Sequence, residues 1–229
     1  MKKRLVAIGG GELRDKTTLS VDRFIANLVK NEEKRTYALF IPTASHDSKP
    51  YFNTFRKTYT SELGAKVDVA ISTKGEMSME HIAEKIEKAD IIYVGGGDTA
   101  YMLNEWKKSG LDKMIIDAYN RGVVLCGLSA GAICWFEKAH SDYMIMEGES
   151  GDYAILDGLG ILDGVCVPHF SEIDRINSWE KMKDGVEKAI CIENDCGVYF
   201  EDGVLVGAVG ENHAYLYQNG KKEEIKKID

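Results

Sequence analysis

The chain has 229 residues, 44% of them apolar and 29% charged, and its 37 acidic against 29 basic side chains leave a formal net charge of −8. This length and mixture suit one globular α/β unit with a sizeable core, so residues 1–229 read as a single domain. The acidic balance argues against nucleic acid or an anionic membrane as partner, and no apolar run approaches the length that spans a bilayer.

The opening MKKRLVAIGGGE sets basic residues before an apolar stretch, as a signal peptide does, yet glycines and Glu12 interrupt that stretch too soon. It reads as a first strand, Leu5 to Ile8, followed by Gly9-Gly10-Gly11. Val21, Phe24, Ile25 and Leu28 then share one helical face. Tyr37 to Ile41 is a second strand closed by Pro42, and Tyr51, Phe55, Tyr59 and Leu63 step by four as a helix does. Val67 to Ile71 is a third strand. Ser78 caps the next helix, whose Ile82 and Ile86 face inward. A fourth strand, Ile91 to Val94, ends in Gly95-Gly96-Gly97-Asp98, where Asp98 caps a helix running toward Trp106; Leu111 to Tyr119 continues helically.

The fifth strand, Val123 to Cys126, meets Gly127-Leu128-Ser129-Ala130-Gly131 and then an apolar run to Phe136. Strand, tight turn and helix in this order build a nucleophile elbow: the serine takes a strained conformation, and its neighbours two before and two after must be small. Alternating strands and helices predict a three-layer α/β fold, a mostly parallel sheet with helices on both faces. Ligands of such sheets bind beyond the carboxyl ends of the strands, where Ser129 and both triple-glycine loops fall.

Beyond Phe136 the character changes. Glu147 to Gly160 is glycine-rich and acidic and reads as a long excursion near the site, Ile161 to Val167 is a strand that stops at Pro168-His169, and a helix surrounds Trp179 and Met182. From Ala189 short alternating strands follow, with turns at Glu201-Asp202-Gly203 and Asn219-Gly220, so antiparallel strands are expected to finish the sheet. Five cysteines, odd in number and without Cys-x-x-Cys spacing, fit a reducing cytoplasm better than zinc or a disulfide framework.

A serine hydroxyl becomes a nucleophile when a base takes its proton and a third group orients that base. Of the five histidines, His46 and His81 precede the elbow, His140 falls where a helix after Ser129 would end, and His213 lies in a late strand. His169 directly follows a strand ending on the elbow's edge, which makes it the favoured base. Glu193, at the end of Ala189 to Ile192, is the expected orienting acid, with Asp195 as its alternative; an order through Asp195 and His213 suits the chain less well. Gly95, Gly97 and Ala100 also satisfy G-x-G-x-x-A, but no acidic residue ends a following strand at the distance a dinucleotide site needs. The better reading gives the Gly97 and Ala130 N–H groups to an oxyanion.

With Val94-Gly95-Gly96-Gly97-Asp98-Thr99, Gly127-Leu128-Ser129-Ala130-Gly131-Ala132 and Pro168-His169-Phe170 in this order, the sequence resembles the serine peptidases that include aspartyl dipeptidase (peptidase E) and cyanophycinase. The resemblance covers most of the chain and implies a class I glutamine amidotransferase-like fold. It implies Ser129 as nucleophile, His169 as base, Glu193 as third member and Gly97 with Ala130 as oxyanion hole. Asp142 resembles an aspartate that the dipeptidases use after the nucleophile helix, and Arg175 is the one candidate cation for an acidic substrate. The segment after His169 and the insert at Glu147 to Gly158 depart from the dipeptidases, so the peptidase chemistry carries over and the aspartyl specificity does not.

The expectation is thus a cytoplasmic serine peptidase, dipeptidase-like, acting on a small peptide without metal or organic cofactor, as a monomer or homodimer. Two rival readings share the fold. One is a glutaminase or amidase of the amidotransferase kind, which needs a cysteine at the elbow and a His-x-Glu pair that this chain lacks. The other is a non-catalytic binding domain.

Overall fold

The computed structural model describes residues 1–146, 148 and 151–228. Strands β1 (Arg4–Ile8), β2 (Tyr37–Ile41), β3 (Lys66–Val69), β4 (Ile91–Val94) and β5 (Val124–Leu128) lie parallel. Between them run α1 (Leu19–Leu28), α2 (Lys49–Ser61), α3 (Met79–Lys88), α4 (Thr99–Ser109) and α5 (Leu111–Asn120). Parallel pairing follows from these crossovers, since each helix carries the chain back across a sheet face. The strands alternate between two apolar faces. Val6, Ile8, Phe40 and Cys126 pack with Val21 and Ile25 of α1 and Phe55 and Tyr59 of α2. Leu5, Ala7, Leu39 and Leu125 pack with Ile82, Trp106 and Ile115 from α3 to α5. Helix starts are fixed locally: the Ser78 side chain accepts the His81 N–H and the Asp98 side chain accepts the Tyr101 N–H.

Two expectations fail beyond Ser129. The helix leaving the elbow is a single turn, α6 (Ala130–Ile133), and Cys134, Trp135 and Phe136 are fully buried. A segment with no polar face cannot lie as a surface helix, and it leads instead into a second sheet. That sheet has the order β13-β12-β9-β8-β6-β7, built from β6 (Phe136–Ser141), β7 (Ala154–Asp157), β8 (Leu162–Val167), β9 (Lys188–Ile192), β12 (Ala214–Gln218) and β13 (Lys221–Glu224). A single helical turn, α7 (Tyr143–Met146), follows β6. Only β10 (Cys196–Glu201) and β11 (Val204–Gly210) extend the first sheet, antiparallel along the free edge of β1, to give β11-β10-β1-β5-β4-β2-β3. The late antiparallel strands thus complete two sheets and not one.

One face of the second sheet shares the core of α3 to α5, through Ala139, Cys166, Ile190 and Ala214. Its other face, with Val165, Val167 and Cys191, is covered by Trp179 of α8 (Ile173–Met182). Of the acidic, glycine-rich excursion, Glu147, Glu149 and Ser150 lie outside the described residues. Among the described residues no helix is long and apolar enough to cross a membrane.

Candidate active site

Backbone bonds join the two sheets at their carboxyl ends. His169 N–H donates to Gly9 O at 2.9 Å and Asp195 N–H to Gly10 O at 3.0 Å, while within the second sheet Phe170 N–H donates to Ile192 O at 2.9 Å and ties the loop after β8 to the end of β9. The loops after β1, β4, β5, β8 and β9 therefore converge on one edge.

Ser129 sits at the end of β5 with φ 55° and ψ −113°, a conformation that costs a non-glycine residue roughly 1–3 kcal/mol. Its N–H donates to Ile8 O (2.9 Å), and its carbonyl accepts from Ala132 N (2.8 Å) and Ile133 N (3.0 Å), so the strained turn is held from both sides. The flanking glycines are a matter of space. A Cβ on Gly131 would stand 2.2 Å from Val94 O, and one on Gly127 2.2 Å from Gly131 O. Strand β4 and the elbow turn touch backbone to backbone.

The β4 loop passes beside this turn. Gly97, at φ +138°, has no room for a side chain, because its Cβ would fall 2.2 Å from Ala44 O. Among the described residues neither the Gly97 nor the Ala130 N–H has an acceptor. The preceding Gly96 N–H donates to the Tyr51 hydroxyl at 3.1 Å. Burial pushes that phenol up to about 12, so it stays protonated at neutral pH.

His169 approaches from β8, and its Nε2 lies 2.8 Å from Ser129 Oγ. Its Nδ1 lies 2.7 Å from Asn194 Oδ1. Asn194 Nδ2 donates to Glu172 Oε1 at 3.3 Å, which turns the amide oxygen toward the ring. An amide oxygen only accepts, so Nδ1 carries the proton and the Nε2 lone pair faces the serine hydroxyl. Glu172 Oε1 is itself 3.4 Å from Nδ1. Gly10 makes this cluster fit, for a Cβ there would stand 2.0 Å from Asn194 Oδ1 and 2.4 Å from His169 Nδ1.

The expected acid does not reach the ring. Glu193 Oε2 accepts the His213 N–H (3.1 Å) and Oε1 accepts the Tyr215 hydroxyl (3.2 Å), both on the β12 side. Its alternative, Asp195, accepts from the Thr17 hydroxyl. Successive side chains leaving a strand point to opposite sides, and here the residue between the two candidates faces the histidine. The burial pattern of β9 gives no hint of this, because all of Ala189, Ile190, Cys191 and Ile192 are buried.

The remaining histidines are engaged elsewhere. The His46 ring packs on Tyr101, His81 stands beside Glu84, and His213, which lies in a loop and not in a strand, meets Glu224. His140 belongs to β6, where burial and then the Arg175 charge bring it down to about 3. Cys126, the thiol nearest the elbow in sequence, is fully buried, and burial pushes it well above its ordinary value. It is no nucleophile.

Asp142 and Arg175 meet each other. Arg175, 2% exposed, donates to Asp142 Oδ2 at 3.1 Å and to His140 O at 3.3 Å, with its guanidinium over the Tyr153 ring. Expected as a cation for substrate, it is instead spent inside the second sheet's packing. A cleft of about 480 Å³ opens over Ser129 and His169, lined also by Glu12, Arg14, Tyr51 and Gly97. Neither Asp142 nor Arg175 lines it. Asn194, Glu172 and Tyr51 join the candidate site without a local signal in the sequence: Asn194 stands between Glu193 and Asp195, and nothing along the chain sets it apart.

The family model for peptidase family S51 matches residues 5–206. The chain is 34% identical over 182 residues to the uncharacterized peptidase YgaJ of Bacillus subtilis strain 168, covering 79% of this chain and 74% of that protein. It is 37% identical over 90 residues to peptidase E of Salmonella arizonae, covering 38% of this chain and 37% of that one. The crystal structure of a peptidase from an acI-B1 actinobacterium shares the fold, with a TM-score of 0.71 at 20% identity over 99% of this chain and 95% of that chain. The chain belongs to peptidase family S51, whose members are serine-type peptidases of the peptidase E kind.

Proposed function

We propose that this chain hydrolyses a small peptide, dipeptidase-like, with Ser129 as nucleophile and His169 as general base. The observation that carries the reading is the 2.8 Å contact between Ser129 Oγ and His169 Nε2, which both line the cleft, next to the Gly97 and Ala130 N–H groups that lack acceptors among the described residues. Ser129 Oγ attacks the scissile carbonyl as its proton moves to Nε2, and the oxyanion forms against the Gly97 and Ala130 N–H groups. His169 returns the proton to the leaving amine, and a water repeats the sequence to release the acyl group. Asn194 holds the ring in the tautomer this requires.

Asp142, outside the lining of the cleft, is the reading's candidate for the free amino group of a peptide whose amino terminus extends past His169 toward the end of β6. It stands just past the end of β6, beside β8 from which His169 emerges, and its carboxylate is partly exposed. Arg175 then acts as the residue that fixes Asp142 and not as a substrate contact.

The reading is tested by labelling with a fluorophosphonate and by assaying free and N-blocked dipeptides, acidic ones included. Label is expected on Ser129, and Ser129→Ala should lose about 10⁶-fold in kcat on whichever peptide is cleaved. Undiminished hydrolysis by purified Ser129→Ala would sink the idea.

A further inference from the structure

Among the described residues, the polar neighbours of His169 Nδ1 are an amide and a carboxylate. Asn194 Oδ1 lies 2.7 Å away and Glu172 Oε1 3.4 Å away, while Asn194 Nδ2 donates to the same Glu172 oxygen over 3.3 Å. Ring, amide and carboxylate form a closed triangle.

The triangle is built and not incidental. Glu172 N–H donates to His169 O at 2.9 Å, closing a tight turn that folds the carboxylate back over the ring three residues earlier. Glu172 is also the N-cap residue of α8, where the helix favours a negative charge. Asn194 is fixed from three directions. Its N–H donates to Ser171 Oγ (3.3 Å), its carbonyl accepts from Asn212 Nδ2 (2.8 Å), and its Oδ1 occupies space left by the missing side chain of Gly10.

Resting on the peptidase reading above, we propose that Glu172 is the carboxylate that balances the charge formed on His169, acting as a positioning residue beside a neutral Asn194 that orients the ring. When the Ser129 proton reaches Nε2, the imidazolium keeps its Nδ1–H on Asn194 Oδ1. A neutral amide supplies that hydrogen bond but no net charge, and the Glu172 anion supplies the Coulomb attraction. The ring returns to neutral when the proton passes to the leaving amine. The charged partner thus comes from the turn after the base and not from the end of β9.

Other charged groups near the ring are differently placed. Glu12 and Arg14, from the loop after β1, line the cleft, and neither has a hydrogen bond or ion pair to His169. Glu193 is held by Tyr215 and the His213 N–H, and Asp195 by Thr17. The Glu172 side chain is 51% exposed, so water screens the pair and its effect is a fraction of that of a buried one.

The test compares wild type, Glu172→Gln, Asn194→Asp and the double variant, by NMR titration of the His169 ring and by kcat/KM against pH on a cleaved peptide. Glu172→Gln is expected to move the ring's midpoint and the acid limb of kcat/KM to lower pH. It should also lower kcat several-fold with KM little changed. Asn194→Asp sets an anion at the 2.7 Å position and should move both to higher pH, and in the double variant it should restore kcat. Wild-type midpoint and kcat in Glu172→Gln would overturn the proposal, and so would a loss that Asn194→Asp fails to restore. The NMR arm needs no turnover, so absence of any peptidase activity would remove the function proposed above while leaving the charge pairing decided on its own.

Discussion

Tyr51 is the residue through which the aromatic core beneath α1 and α2 reaches the site. Its ring meets Phe40 edge-on at 5.1 Å, and its hydroxyl takes the Gly96 N–H, one residue before Gly97 in the wall of the cleft. A Tyr51→Phe substitution keeps the ring packing and leaves Gly96 N–H unsatisfied, at a cost of about 1–3 kcal/mol shared between stability and the aim of the loop. The expected outcome is a fall of roughly tenfold in kcat with KM nearly unchanged, since an oxyanion donor acts in the transition state more than in the ground state. Steady-state kinetics on a cleaved peptide read it, and a pure KM effect would place Tyr51 among the substrate contacts.

The elbow is set at the scale of elements, because β4, β5 and α6 approach more closely than side chains permit. Gly131→Ala places a methyl against Val94 O, a backbone atom that moves only if β4 moves. Urea unfolding should show a loss of at least roughly 1–3 kcal/mol, the usual cost of overpacking. Activity should fall with it, since any relief shifts Ser129 relative to Gly97. A Gly131→Ala variant as stable as wild type would show that β4 and the elbow are not locked together. The same scale explains the misplaced acid: β9 is buried on both faces, so its burial pattern cannot say which of Glu193, Asn194 and Asp195 turns toward β8. His169, by contrast, follows a strand whose direction is fixed by parallel pairing with β9.

Across the whole molecule, the core beneath α1 and α2 encloses an acid. Asp22 of α1 is fully buried and takes the Thr18 and Tyr59 hydroxyls, each at 2.8 Å, and burial raises it to about 6. A carboxyl whose folded value is raised binds its proton more tightly in the native state, so its stabilising contribution is full below its ordinary value of 3.8 and is lost as pH rises through about 6. The pH-dependent difference amounts to roughly 3 kcal/mol. Asp22→Asn should therefore gain stability relative to wild type as pH goes from about 4 to about 7.5, a comparison in which other titrating groups cancel. Unfolding curves at both ends of that range check it, and an offset independent of pH would refute it.

Features that depend on neighbours along the chain are legible in the amino-acid sequence. Apolar runs of strand length, helix caps at Ser78 and Asp98, the small residues around Ser129 and the two-residue hairpin turn at Asn219-Gly220 are local instructions, and they lie where the structure has β1 to β5, α3, α4, the elbow and the β12–β13 turn. Features that depend on distant segments meeting emerge only in the folded chain. The second sheet arises because β6 finds β8 and β9, and Arg175 turns inward because Asp142 and the His140 carbonyl are there to receive it. Which group faces His169 Nδ1 was likewise settled by contact with Glu172 and Gly10, residues far from Asn194 along the chain, and a strand buried on both faces leaves no periodic mark from which such a contact could be read.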